Sequence, residues 1–298
     1  VAFSLVTTVL AAAATYDLTD ITTARNELGI NGTDAQYDVW LKRAITQVSR
    51  AIATDTNRVF APETVQDAFG IQQDPYPYQK PGGAAVLQLS RWPVLAVSSV
   101  TQTTAPGTTQ ALIEGADFRV DAATGRLLRL NSFTGAVTTW EPLSVTVIYS
   151  GGYGAAVSES HTVGGSPYQV TVADAASFSC DQSVAYANGT ALARVAASPS
   201  HGQYSVAAGV YTFNAADSGQ TLSFAYATLG IPDDLVEVAL RLITARFKAK
   251  DRDPALIQQD TPGVGTQRWW FGGAPGQKGP FPPDIAGFLD NYRMPVIA

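Results

Sequence analysis

Cysteine is almost absent from this 298-residue chain: Cys180 stands alone, so no intrachain disulfide can form and a disulfide-stapled scaffold is excluded. Histidine is nearly as scarce. His161 and His201 have no HxxxH, HExxH or Cys-x-x-Cys setting, so no metal site and no cofactor is expected. Charged residues make up only 15% of the chain, well under the usual quarter. The surface must therefore rely on Thr, Ser, Gln, Asn and Gly, which suits β-rich folds and proteins that bury surface against partners. A net charge of −6 lacks the basic footprint of a general nucleic-acid binder. DNA that passes without being held stays compatible with it. Long apolar runs are missing too. The N-terminal VAFSLVTTVLAAAA resembles a signal-peptide core without a basic region before it, and Thr7, Thr8 and Thr15 interrupt it. A membrane span needs about 20 apolar residues, so no membrane partner is expected. The run is read as a mature segment that packs on a neighbour.

What is present is apolar: 46% hydrophobic residues, enough for real cores, in a chain whose length suggests two compact units. From Asp34 to about Asp55, Tyr37, Trp40, Leu41, Ala44, Ile45, Val48 and Ile52 recur at helical spacing, with Thr33 and Gln36 as a capping box. A shorter helix from Ile21 to Leu28 ends at Gly29, a natural C-cap. Strands are predicted at Val65–Ile71, Ala85–Leu89, Val94–Val100, Phe118–Val120, Arg126–Leu130 and Leu143–Tyr149. DFRVDAATGRLLRL reads as a hairpin turning near Thr124-Gly125. Gly151-Gly-Tyr-Gly154 then breaks the chain.

From 155 to 229 the composition changes. Charge nearly vanishes, and PYQVTV, QYSVAAGVYTF and TLSFAYA read as strands of a separate sandwich-like or barrel-like β module. Helix returns in IPDDLVEVALRLITARFKAKDRD, opened by Pro232 and two aspartates and closed by basic residues, as the helix dipole prefers. Its apolar side is wide and predicts packing against the first long helix, about 180 residues earlier. A Pro- and Gly-rich stretch follows, with Trp269, Trp270, Phe271 and Phe281 too apolar for a linker. A short helix from Pro283 to Tyr292 then leads to NYRMPVIA.

The search for catalysis is negative. Asp233-Asp234 and Asp251/Asp253 sit at helix ends, where capping explains them. Ser158 and Ser160 adjoin His161, but neighbours in sequence rarely form a nucleophile–base pair. Asp181 beside Cys180 disfavours a thiolate, and GVGTQ and GGYG lack the lysine and setting of a P-loop. The chain is not expected to be an enzyme. Arg246 alone stands out, because it falls on the apolar side of its helix. It is read either as snorkelling or as a contact across a subunit boundary.

The ordered segments LTDITTARNELGI, DVWLKRAITQVSRAIATDTNRVF, LQLSRWPVLAVSSVT, DFRVDAATGRLLRL, VTVIYSGGY, IPDDLVEVALRLITARFKAKDRDP, PGVG and PPDIAGFLDNYRMPVI resemble the head–tail connector (adaptor) proteins of tailed bacteriophages. The resemblance implies an α+β fold: a helical core with a small β region, plus an inserted all-β domain. The adaptor core would comprise residues 1–154 and 230–298, and the sandwich-like insertion residues 155–229. It also implies a structural virion protein of the neck, made in the host cytoplasm. Such proteins form a twelve-fold ring under the portal, carry a stopper or tail protein, and let DNA pass without sequence-specific binding. The β module is expected on the outer rim.

Candidate interface residues are Trp269, Trp270, Phe271, Arg246, Tyr292, Met294, Val296 and Ile297. The last four are expected to dock on a neighbouring subunit or on the portal, the alternative being that the tail folds back over its own Pro-rich segment. Rival readings are a tail-completion or neck-decoration virion protein, and a secreted glycan-binding β protein that stacks sugars on Tyr168 or Tyr211.

Overall fold

The computed structural model describes residues 3–32, 34–71, 86–140, 143–250, 258–261, 265–268 and 281–293. These form two compact units. The first is built from the described residues of Val1–Thr15 and Ala61–Gly230, the second from those of Tyr16–Phe60 and Ile231–Ile297.

Among the described residues, the regular structure of the first unit is strand apart from two short 3-10 turns. Its first nine strands are β1 (Phe3–Ala11), β2 (Glu63–Ile71), β3 (Val86–Gln88), β4 (Val94–Ala105), β5 (Thr108–Ala111), β6 (Phe118–Asp121), β7 (Arg126–Leu130), β8 (Val137–Thr138) and β9 (Ser144–Gly151). They make a five-stranded antiparallel sheet in the order β1-β2-β9-β4-β5, and a smaller sheet β3-β7-β6 with β8 beside β7. Alternate residues of these strands meet in one core around Val65, Phe69, Leu127, Val145, Val147 and the fully buried Trp140. The Trp140 indole N–H donates to the Leu127 carbonyl at 3.3 Å, so the largest side chain of the core leaves no polar atom unpaired.

The remaining strands of this unit are β10 (Gly154–Thr162), β11 (Gln169–Thr171), β12 (Phe178–Tyr186), β13 (Ala193–Arg194), β14 (Gln203–Ala207), β15 (Val210–Phe213) and β16 (Thr221–Leu229). Sheets β10-β16-β12 and β11-β15-β14-β13 enclose a second core rich in aromatics, including Phe178, Tyr204, Tyr211, Phe213, Phe224 and Tyr226. Tyr211 and Phe224 meet edge to face at 5.0 Å, an arrangement their ring quadrupoles favour. The two pairs of sheets are joined by hydrogen bonds. Thr64 Oγ1 contacts Ser150 Oγ at 2.8 Å and donates to the Asp181 carbonyl at 2.9 Å, while Ser179 Oγ donates to the Pro62 carbonyl at 2.9 Å.

The second unit holds α1 (Ile21–Leu28), α2 (Asp38–Thr56), α3 (Asp233–Lys248) and α4 (Pro283–Leu289), with a hairpin of β17 (Gln258–Thr261) and β18 (Gly265–Arg268). Asp20 caps α1, accepting from the Thr22 and Thr23 N–H groups at 2.7 and 2.9 Å, and Gly29 ends it in the left-handed region. α2 starts four residues later than Asp34. Asp34 instead accepts from the Gln36 N–H at 2.9 Å in the turn before the helix, and Tyr37 is the N-cap. Thr33 of the expected capping box lies outside the described residues. α2 and α3 pack together, with the Phe247 ring edge-on to Tyr37 and Trp40 at 5.1 and 5.5 Å.

The expected helical core with a small β region is therefore corrected. Most of the regular structure is strand, and the β region is the larger part of the fold. The physical reason lies in signal strength. A 19-residue amphipathic helix such as α2 announces itself by repetition, whereas strands of two to twelve residues, several of them broken by bulges, carry a weaker signal each and add up only when they assemble. VAFSLVTTVL belongs to the β region as well. It forms β1, paired along its length with β2 of its own sheet.

Candidate assembly surfaces

The buried acids and the thiol are spent on structure. Asp67, fully buried on β2, accepts from Thr7 Oγ1 at 2.6 Å and from the Ser90 N–H, Ser90 Oγ and Tyr149 hydroxyl at 2.8 Å each. Four donors fill the acceptor sites of one carboxylate. Burial raises the Tyr149 phenol well above its ordinary range, so it remains a neutral donor. Beside this network the buried Glu63 receives Arg91 Nε at 2.7 Å.

On β12, Asp181 accepts from the Tyr204 and Tyr211 hydroxyls at 2.7 and 2.9 Å. Burial pushes its carboxyl above the usual carboxylate range, and the two tyrosines pull the other way. A raised native pKa means the folded state holds the proton more tightly than the unfolded chain does. That contribution is fully present below the ordinary carboxylate range and is lost as pH rises through the folded value. Urea midpoints measured across a pH series should therefore show wild type losing stability relative to Asp181→Asn as pH rises; parallel curves would contradict the assignment.

Cys180 is buried, and burial pushes its thiol up to about 12, leaving it inert as a nucleophile. Ser158 and Ser160 share one face of β10 while His161 occupies the other, beside Phe224 and within 3.2 Å of Glu159, so no serine–histidine pair forms. Among the described residues no group of three or more His, Cys, Asp or Glu is placed to hold a metal, and no helix is long and apolar enough to cross a membrane. Tyr211 is fully buried and offers no ring to a sugar, while Tyr168 is partly buried against the second core.

The surface is where the unusual chemistry lies. β1 exposes Leu5 (38%), Val6 (62%), Val9 (44%) and Leu10 (47%). Residues of opposite parity point to opposite faces: Leu5 and Val9 share the face from which Thr7 reaches the buried Asp67, and Val6 lies on the other, so exposed apolar side chains occur on both. Among the described residues no strand pairs with its outer edge. At the far side of the same sheet, all four residues of β5 are exposed and Ile113 follows, 68% exposed.

A third feature is Phe133, 99% exposed in a turn held by Asn131, whose side-chain oxygen accepts the Phe133 and Thr134 N–H groups at 2.9 and 3.2 Å. An open groove of about 500 Å³ beside it is lined by Gln102, Thr104, Arg129 and Thr138. Arg129 pairs with Asp117 and lies over the Trp140 ring at 5.8 Å.

Of the residues singled out in the sequence, Arg246 is exposed and donates to Gln47 Oε1 at 3.3 Å, across the α2–α3 pair. Tyr292 is turned into its own unit. Its hydroxyl donates to Asp234 at 2.6 Å and its ring meets Phe60 and Phe288 at 6.1 and 6.0 Å. The neighbouring Arg293 pairs with Asp55 and Asp290, both at 2.8 Å. Trp269, Trp270, Phe271, Met294, Val296 and Ile297 lie outside the described residues. β1, read in the sequence as a segment that packs on a neighbour, was not recognised there as an edge strand of a sheet.

The sequence matches no family model and no curated protein. Three solved structures are similar over nearly all of the chain. One is the neck of an empty GTA particle computed with C6 symmetry (11% identity, TM-score 0.38, covering 100% of this chain and 98% of that one). Another is the virion of a native gene transfer agent particle (11%, 0.40, 98% and 97%). The third is the neck of a native GTA particle computed with C12 symmetry (14%, 0.32, 100% and 98%). At these identities and scores the likeness carries no inference to this chain.

Proposed function

We propose that this chain is a structural component of a virus-like particle, a head–tail connector of the adaptor class that joins the capsid portal to a stopper or tail protein. The observation that carries the reading is β1. A nine-residue strand with an open edge and apolar side chains on both faces is a surface made to be covered. The buried Asp67 and Asp181 of the first unit, by contrast, are held by structural partners. The ordered run of adaptor-like segments supplies the class of particle.

In this reading residues 1–154 and 230–298 make the ring-forming core, and residues 155–229 decorate its outer rim. Twelve copies close under the portal at the virion neck after synthesis in the host cytoplasm, and DNA passes through the channel without sequence-specific contacts. Arg246, Trp269, Trp270, Phe271, Met294, Val296 and Ile297 face neighbours. Tyr292, which packs inside its own unit, anchors the base of the tail. The reading predicts that particles made without this chain package DNA but do not join tails. Normally tailed, DNA-retaining particles would refute it and favour a neck-decoration role.

A further inference from the structure

We propose that the two edges of the five-stranded sheet mate between copies of this chain, the outer edge of β1 in one copy lying beside the outer edge of β5 in the next. This deepens the adaptor reading and rests on it only for the closure of a ring.

An open edge strand presents a row of unpaired N–H and C=O groups, and folded proteins guard such edges with lysine, proline, bulges or a covering element. Here lysine and proline are missing from both edge strands and, among the described residues, no strand covers either edge; the irregularities of the two pairings fall at Val9–Ala11 and Thr103–Ala105. Residues 1–16 and 94–113 contain no Asp, Glu, Lys or Arg, in a chain that is 15% charged. β1 has no proline, and its one irregularity against β2 falls at Val9–Ala11, which leaves Phe3–Val9 in unbroken register. β5 has no proline and is exposed throughout.

Direction supports the same partner. The sheet is antiparallel at every step, so four reversals bring β5 back to the direction of β1. Repeating the sheet side by side therefore sets β1 of one copy next to β5 of another as a parallel pair. The backbone ladder is limited to the four residues of β5. Leu5, Val6, Val9 and Leu10 supply apolar surface beyond it, and Ile113 answers from the other copy. Two unlike edges that fit one another make a heterologous contact. Such a contact propagates until it closes, and closure leaves neither edge open. Pairing β1 with a second β1 would stop at two copies and leave both β5 edges bare.

The test uses two full-length double variants that place lysines at exposed positions: Val6→Lys with Thr8→Lys on β1, and Thr109→Lys with Ala111→Lys on β5. Sedimentation velocity over a concentration series should show wild type forming species larger than a dimer and each variant remaining monomeric. An equimolar mixture of the two variants keeps one intact edge of each kind, and should give a two-chain species and nothing larger. Circular dichroism melts that match wild type would show that both variants fold. Hydrogen exchange on wild type supplies a readout that needs no variant: β1 and β5 amides should both slow as assembly proceeds. A wild type that stays monomeric at every concentration overturns the proposal. So does a β5 variant that assembles like wild type, since β1 would then be meeting something other than β5. Wild type that assembles through both edges but ignores portal rings would keep this contact and remove the adaptor reading.

Discussion

Asp67→Ala should cost the first unit about 3–5 kcal/mol, the largest loss expected from any single polar side chain in it. The carboxylate gathers Thr7 from β1, Ser90 from the turn after β3, and Tyr149 from β9. Alanine leaves the Ser90 N–H buried without its acceptor and only one 3.3 Å contact for the Ser90 and Tyr149 hydroxyls to share, and each orphaned donor costs about 1–3 kcal/mol. Thr7 loses its only tie to the sheet beyond the backbone ladder described here, so β1 should loosen first. Asp67→Asn keeps the shape but turns an amide N–H₂ toward a donor, and should lose roughly half as much. Urea unfolding followed by tryptophan fluorescence checks the stability. Hydrogen exchange checks the order of loss, with β1 amides accelerating before those of β9. If Asp67→Ala unfolds at the wild-type midpoint, the network is not holding the sheet.

Gly154→Ala should be worse tolerated than its conservative appearance suggests. A Cβ at Gly154 would lie 1.8 Å from the Thr228 carbonyl oxygen and 2.8 Å from Pro62 Cγ, with backbone rather than a flexible side chain in the way. Gly154 opens β10 opposite Leu229, so the clash falls where the chain leaves the five-stranded sheet and enters the second pair of sheets. Gly152, just before it, has φ near +135°, and a Cβ built there would lie 2.7 Å from Ala61 and Pro62 backbone atoms. The alanine must either break the β10–β16 pairing at its start or push the Pro62 segment aside. The expected loss exceeds about 4 kcal/mol, the size seen when a core must be rearranged. Gly164→Ala is the matched control: its Cβ would meet nothing within 4 Å, and it should melt with wild type. Equal melting temperatures for the two alanine variants would contradict the close crossing.

How much of this was legible in the sequence follows from where each signal resides. Helix ends were readable because their chemistry is local: Gly29 stops α1 in the left-handed region, as its position suggested. The β6–β7 hairpin was readable for the same reason, with Gly125 turning at φ +68°. GGYG was visible as a break, but its tightness was not, because the atoms that crowd Gly154 come from Thr228 and Pro62. β1 eluded the period-two test: with Leu5 and Val9 on one face and Val6 and Leu10 on the other, it does not alternate. The Asp67 network was invisible for a further reason. Its partners stand 60, 23 and 82 residues away in sequence, and no spacing rule reaches that far. The same holds for Asp181, whose tyrosines arrive from β14 and β15. The candidate surface therefore came from exposure and missing charge, both of which needed the sheet to be assembled before they acquired meaning.

The most direct measurement is mass photometry of the purified chain, alone and mixed with the portal of its own particle. The account predicts a mass near twelve copies, either for the chain alone or as a ring added to portal. A stable monomer that ignores portal would contradict it.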